Sequence, residues 1–298
     1  MVIRTYHQLT GPDASGLGAQ VQEQAARVAQ RIREVDSVIA VMSGKGGVGK
    51  SLVSAVLATA LRRDHGSIGL LDADLNGPTA ARMLGVRSTP LEAVDRSVRP
   101  AISPDGVVLM SMALLLSDAQ PVEWREPGSD SFVWRGAQER GALREFLSDV
   151  EWGSLDFLLV DLPPVTQRLL ELHELVPALA GVVAVTAPSE AARESVERSL
   201  TLCRRRGIEL LGIVENMSGY HCPTCETVGP LFPGEAGRTL ASRFRVPLLG
   251  RIPFDCVAGR LAEAGRMGEL LARTEAGRAL REIARRIVER LHDRGSRD

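Results

Sequence analysis

The chain has 298 residues, 44% of them hydrophobic and 24% charged. These are ordinary proportions for a globular protein, unlike those of a disordered, collagen-like or disulfide-stapled chain. Lys+Arg 36 against Asp+Glu 37 gives a net charge of −1, so no global positive field gathers nucleic acid or anionic lipid.

Residues 1–36 read as a polar tail followed by a helix over 20–35, with Val21, Ala25, Val28 and Ile32 on one stripe. The tail has no apolar signal region, and nothing in the chain approaches the roughly 18 apolar residues of a membrane span. Four cysteines are too few for an oxidised scaffold, so a reducing cytoplasm is expected. Residues 37–298 read as one domain. Short apolar runs at 38–42, 68–71, 107–112, 157–160, 182–186, 210–215 and 248–251 predict strands. Helical periods begin near Ser51, Ala137, Arg168, Ser189, Glu235 and Thr274. This alternation predicts an α/β fold: a single doubly wound, mostly parallel sheet with helices on both faces. Residues 117–130, with two prolines and no periodicity, read as an excursion from it.

The phosphate chemistry is concentrated early. The 36 basic residues are 34 Arg and 2 Lys, and the two lysines, Lys45 and Lys50, stand five residues apart. Resistance to arginine there points to a need for a compact ammonium on a flexible stem. Both lie in Gly44-Lys45-Gly46-Gly47-Val48-Gly49-Lys50-Ser51, a P-loop between an apolar strand and a helix. Its glycines let backbone N–H groups turn inward around phosphate oxygens at a helix N-terminus. Lys50 is expected to reach the β/γ-phosphates and Ser51 to ligate Mg²⁺. Asp161, ending the apolar run 157–160, fits the acidic element that completes a magnesium site. Asp72 and Asp74 end the strand 68–71 on one side, where one could order an attacking water; an Asx turn before Pro78 is the plainer reading.

A second chemistry lies at Cys222-Pro223-Thr224-Cys225. Two thiolates at this spacing bind one soft metal, zinc or iron–sulfur, or else form a redox pair. One pair is half a site, so four thiolates require a second chain or Cys203 and Cys256. Cys203 falls in the helical run 189–206 and reads as a buried hydrophobe, Cys256 follows a strand end, and His221 reads as a neighbour of the thiols. Two such pairs facing across a twofold axis supply the ligand count. The C-terminal run 274–294 carries Leu280, Ile283, Ile287 and Leu291 on one stripe among six arginines and four acids. It reads as a helix docked on the sheet, with a lipid-surface helix as the alternative.

Lys45, directly after the first glycine, makes the loop resemble the deviant Walker A of the MinD/ParA/ArsA class of P-loop ATPases. Within that class, LLDADLNGPTAARMLG (70–85), WRGA (134–137), VDLPP (160–164) and GIVENMSGYHCPTC (212–225) resemble the Mrp/ApbC group of iron–sulfur cluster carriers. The resemblance implies that ATP binds with Mg²⁺ and is hydrolysed. It also implies that Lys45 crosses to the partner's phosphates in a homodimer and that Asp74 positions the lytic water. By the same resemblance Asp72 sits near Mg²⁺ and Asn216 meets the adenine. Cys222 and Cys225 would hold a bridging [4Fe–4S] cluster, passed to apo-proteins, with no membrane or nucleic-acid partner. Val165-Thr166-Gln167-Arg168 departs from the Gly-Thr-Gly-Asp usual in this group. Two lost glycines stiffen the segment, so slow or differently controlled hydrolysis is expected. Asn76 and Cys256 also depart, from Tyr and Pro. A positioning ATPase on membrane or DNA with structural cysteines, and a nucleotide-gated regulator without turnover, are the competing readings.

Overall fold

The computed structural model describes residues 17–86, 91–94, 97–115, 132–222, 224–225 and 227–295; the expected excursion at 117–130 lies outside them. The described elements begin with α1 (Leu17–Ile32), β1 (Val35–Ser43), α2 (Lys50–Asp64), β2 (Ile68–Asp72) and a single turn, α3 (Ala80–Met83). Short strands follow, β3 (Ala93–Val94), β4 (Ser97–Val98) and β5 (Ala101–Ile102), then β6 (Val108–Ser111), α4 (Phe132–Asp149) and β7 (Leu155–Asp161). The chain continues through α5 (Thr166–Leu175), β8 (Gly181–Thr186), α6 (Glu190–Arg205), β9 (Leu210–His221) and β10 (Val228–Gly229). It ends with α7 (Ala236–Phe244), β11 (Leu248–Asp255), α8 (Cys256–Glu263), α9 (Met267–Arg273) and α10 (Glu275–Gly295).

Seven strands run parallel in the order β11-β9-β8-β1-β7-β2-β6, with β5 antiparallel on β6 and β10 antiparallel on β9. Successive side chains of a strand point to opposite faces, and the central strands are apolar on both. Ile39 and Val41 of β1 enter one core with α2, α8, α9 and α10. Val38, Ala40 and Met42 enter a second core with α1, α4, α5, α6 and α7. The α/β architecture expected from the alternating pattern is the observed one. Among the described residues no helix is long and apolar enough to cross a membrane.

Several boundaries differ from expectation for tertiary reasons. The helix expected over 20–35 ends at Ile32, because Val35 already pairs in register with Leu155. β9 runs on to His221, six residues past the expected end, because β11 and β10 offer it partners. The extra length is absorbed by a register shift opposite Ile252/Phe254 and by Met217, whose φ of 56° is left-handed. α8 and α9 were not anticipated, although Asp255 caps α8 by accepting from Val257 and Ala258 N–H. In α10, Leu280, Ile283 and Ile287 are buried in the sheet core. Arg286 and Arg294 donate to the Leu249 and Ala180 carbonyls at 3.0 and 2.8 Å. The stripe therefore faces protein, not lipid.

Candidate functional site

The P-loop leaves the C-terminal end of β1 beside β8, where the crossover from β1 to β2 and that from β8 to β9 run in opposite directions, the usual ligand position in such sheets. Gly47 and Gly49 have φ of 81° and 79°, which a Cβ would strain. Gly44 is required for a different reason. A Cβ there would lie 2.3 Å from the backbone carbon of Ser195 in α6, whose hydroxyl donates to the Gly44 carbonyl.

Lys50 opens α2 and is buried, its Nζ 2.7 Å from Asp161 Oδ1 at the end of β7 and 3.2 Å from Ser51 Oγ. Ser54 Oγ donates to the same carboxylate oxygen at 2.6 Å. The other oxygen, Asp161 Oδ2, is buried without a hydrogen-bond partner in the structure. An orphaned anionic oxygen on a carboxylate whose Lys50 partner also reaches the Ser51 hydroxyl suits a hard divalent cation with its waters. Lys45 is exposed on the loop, which leaves it accessible to a second chain.

Asp72 is paired in register with Asp161 across β2 and β7. Its Oδ2 accepts from Thr79 N–H, Ala80 N–H and Ser111 Oγ, each at 3.1 Å, and its Oδ1 accepts from Asp74 N–H at 3.3 Å. The carboxylate thus shapes the loop that presents half-exposed Asp74. Burial and, next, the charge of Asp161 push the Asp72 pKa up to about 7, against the Ala80 N–H, Lys50 and Ser111, which lower it. The folded chain then holds a proton that the unfolded chain has released, so this group's contribution to stability is complete below the ordinary carboxylate pKa and is lost as pH rises through about 7. We expect the melting temperature without divalent cations to fall between pH 5 and 8, and Asp72→Asn to flatten that fall. An equal slope in the variant would contradict the assignment.

Asn216, in β9, donates from Nδ2 to the Val48 carbonyl at 2.8 Å, so it clamps the P-loop. With Gly49 it also lines an apolar cavity of about 500 Å³, walled by Leu52, Ile252, Pro253 and Phe254. The sequence carried no signal for this cavity, because its walls come from α2, β11 and the helices after it.

Six residues beyond Asn216 the same strand reaches the thiols. Cys222 N–H donates to the Thr227 carbonyl at 3.0 Å, closing a hairpin, and Cys225 Sγ lies 2.9 Å from Thr227 Oγ1. The Thr227 hydroxyl and N–H, with the Cys222 thiol, hold the Cys225 pKa below its usual value. Cys222 is half-buried and Cys225 exposed. Cys203 is buried in the core, where desolvation pushes its thiol up to about 12. Cys256 opens α8 and lines the cavity. Among the described residues, no three His, Cys, Asp or Glu side chains of one chain form a metal-holding group. Val228, Leu231 and Phe232, which follow the thiols, are exposed apolar residues.

Comparison with known proteins gives consistent results. The sequence model of the ParA family described as NUBPL iron-transfer P-loop NTPase matches residues 34–290. The iron-sulfur cluster carrier protein of Methanocaldococcus jannaschii is 38% identical over 284 residues, covering 95% of this chain and 93% of its own. The cytosolic Fe-S cluster assembly factor NUBP2 of Homo sapiens is 37% identical over 272 residues, covering 89% and 97%. Among solved structures, a nucleotide-binding protein of Archaeoglobus fulgidus in complex with ADP superposes with a TM-score of 0.69 at 32% identity, over 82% of this chain and 93% of that one.

Proposed function

Because the chain belongs to the NUBPL iron-transfer family of ParA-type P-loop NTPases, we propose that it is an ATP-dependent carrier in the cytoplasm. It binds a [4Fe–4S] cluster between two copies through Cys222 and Cys225 and transfers it to apo-proteins. The observation that carries this reading is the continuity of β9. The strand clamps the P-loop through Asn216 and ends in the thiol hairpin, so a change at the phosphates has a short rigid route to the sulfurs.

ATP phosphates lie against the Gly44–Ser51 backbone, and the apolar cavity beside Gly49 and Asn216 takes the adenine. On binding, the Lys50 ammonium exchanges Asp161 Oδ1 for phosphate oxygens. The carboxylate so released, with Ser51 Oγ and Asp72 nearby, would hold Mg²⁺, which would supply charge to neutralise the phosphates. Asp74 orients the attacking water, and the partner's Lys45 stabilises charge on the transferred phosphoryl group, giving slow hydrolysis to ADP and phosphate. Two exposed hairpins meeting across a twofold axis supply four thiolates, one pair from each chain. The apolar Val228, Leu231 and Phe232 are surface for a second chain or client to cover.

Anaerobic reconstitution with iron and sulfide tests this. A broad visible absorption band and about four irons per two chains are expected. A chain that takes up zinc instead, about one per chain in a site closed within the monomer, would overturn the carrier reading.

A further inference from the structure

Arg168 has a partner set that links two helices to the loop after β2. Arg168 is the third residue of α5, directly after the β7 end that carries Asp161. A cation in the first turn opposes the helix dipole, so helix stability does not account for it. Instead its guanidinium forks between two helices. Nη1 donates to Glu171 Oε2 at 2.5 Å on α5 itself, and Nη2 pairs with Glu139 of α4. Glu171 also takes Arg140 at 3.1 Å, and Glu139 Oε1 accepts from Asn76 Nδ2 at 2.9 Å. Arg168, Glu139 and Glu171 are 11%, 13% and 4% exposed, so these charges are shielded from solvent and mutually dependent. Asn76 lies two residues after Asp74, in the loop that Asp72 shapes.

We infer that Arg168 is a positioning residue: through Glu139 and Asn76 it ties α5, behind Asp161, to the loop bearing Asp74, so that the two acidic strand ends move as one unit. This deepens the hydrolytic reading above and rests on it for its kinetic consequence. The coupling itself is a property of the nucleotide-free chain. Arginine is required because only a planar fork spans two carboxylates; lysine brings one point charge.

Hydrogen–deuterium exchange on the full nucleotide-free chain tests the coupling. Arg168→Gln is expected to speed exchange about tenfold in both 166–175 and 73–80, with Arg168→Lys recovering part of the protection. Asn76→Ala, at an exposed position, is expected to speed exchange in 73–80 alone and to leave the melting temperature unchanged. With Mg-ATP, both Asn76→Ala and Arg168→Gln should lower kcat about tenfold while KM stays within about twofold. Arg168→Gln that loosens 166–175 but leaves 73–80 fully protected would overturn the coupling. Wild-type kcat in Asn76→Ala would overturn the positioning role. If the wild-type chain itself releases no phosphate, the hydrolytic reading fails, and the exchange data still decide whether the two segments are tied.

Discussion

Replacing Cys222 and Cys225 together with alanine is expected to reduce iron retained after anaerobic reconstitution from about four per two chains to background. Nucleotide affinity should stay within about twofold, and stability within about 0.5 kcal/mol, as for surface substitutions away from core features. The physical basis is separation of roles. Cys225 is exposed and Cys222 half-buried on a hairpin beyond the sheet, so removing both sulfurs creates no core cavity. The P-loop amides proposed to bind phosphate belong to another segment, and Asn216, six residues before Cys222 on the same strand, keeps its bond to the Val48 carbonyl. Iron counting and nucleotide titration on one preparation read both halves. Iron retained at the wild-type level in the double variant would reject ligation by this pair. Each single variant should lose nearly as much iron, because three remaining sulfur positions become two when the dimer repeats the change.

The second large effect is expected at Lys50. Among the described residues its ammonium is the one cation paired with the Asp161 carboxylate, which has no exposure, and Lys50→Met leaves that charge with the Ser54 hydroxyl. Breaking a buried pair by removing one member costs about 3–5 kcal/mol. On the proposed reading the same variant also loses the cation that meets the phosphates, so nucleotide affinity should fall at least about 100-fold, or about 2.7 kcal/mol. The two losses separate in a double variant. Lys50→Met with Asp161→Asn removes the stranded charge and should regain most of the stability without regaining nucleotide binding. Calorimetric melting and nucleotide titration of the three proteins check this. Recovery of binding in the double variant would mean that Lys50 acts on Asp161 and not on phosphate.

The proposed phosphate site was legible because its chemistry is local. Glycines needed for inward-facing amides, the lysine and the serine are consecutive residues, and an apolar run ending in Asp161 marks a strand end by itself. Asp72 was half legible. Its place at the end of β2 followed from alternation, whereas its three backbone N–H bonds and the Ser111 hydroxyl are set by the turn and by β6. The carboxylate forms the turn that the plainer expectation described, and it stands beside Asp161 in register. Asn216 was expected at the adenine through the family resemblance, and the structure adds the bond to Val48 that fixes the loop. Cys203 was recognised as a core residue from helical position alone.

Sequence by itself therefore determined the α/β alternation, the loop for phosphate and the pair of thiols, because each is written in neighbouring residues with a fixed spacing. Tertiary structure decided what those parts can do to one another. It continued β9 past its apolar run, walled a cavity with residues from α2, β11 and α8, and set Arg168 between glutamates from two helices. Apart from the Arg168–Glu171 pair within α5, no local pattern encodes these contacts. They exist because folding brings residues tens to hundreds of positions apart within hydrogen-bond range, where burial makes each charge depend on its partner.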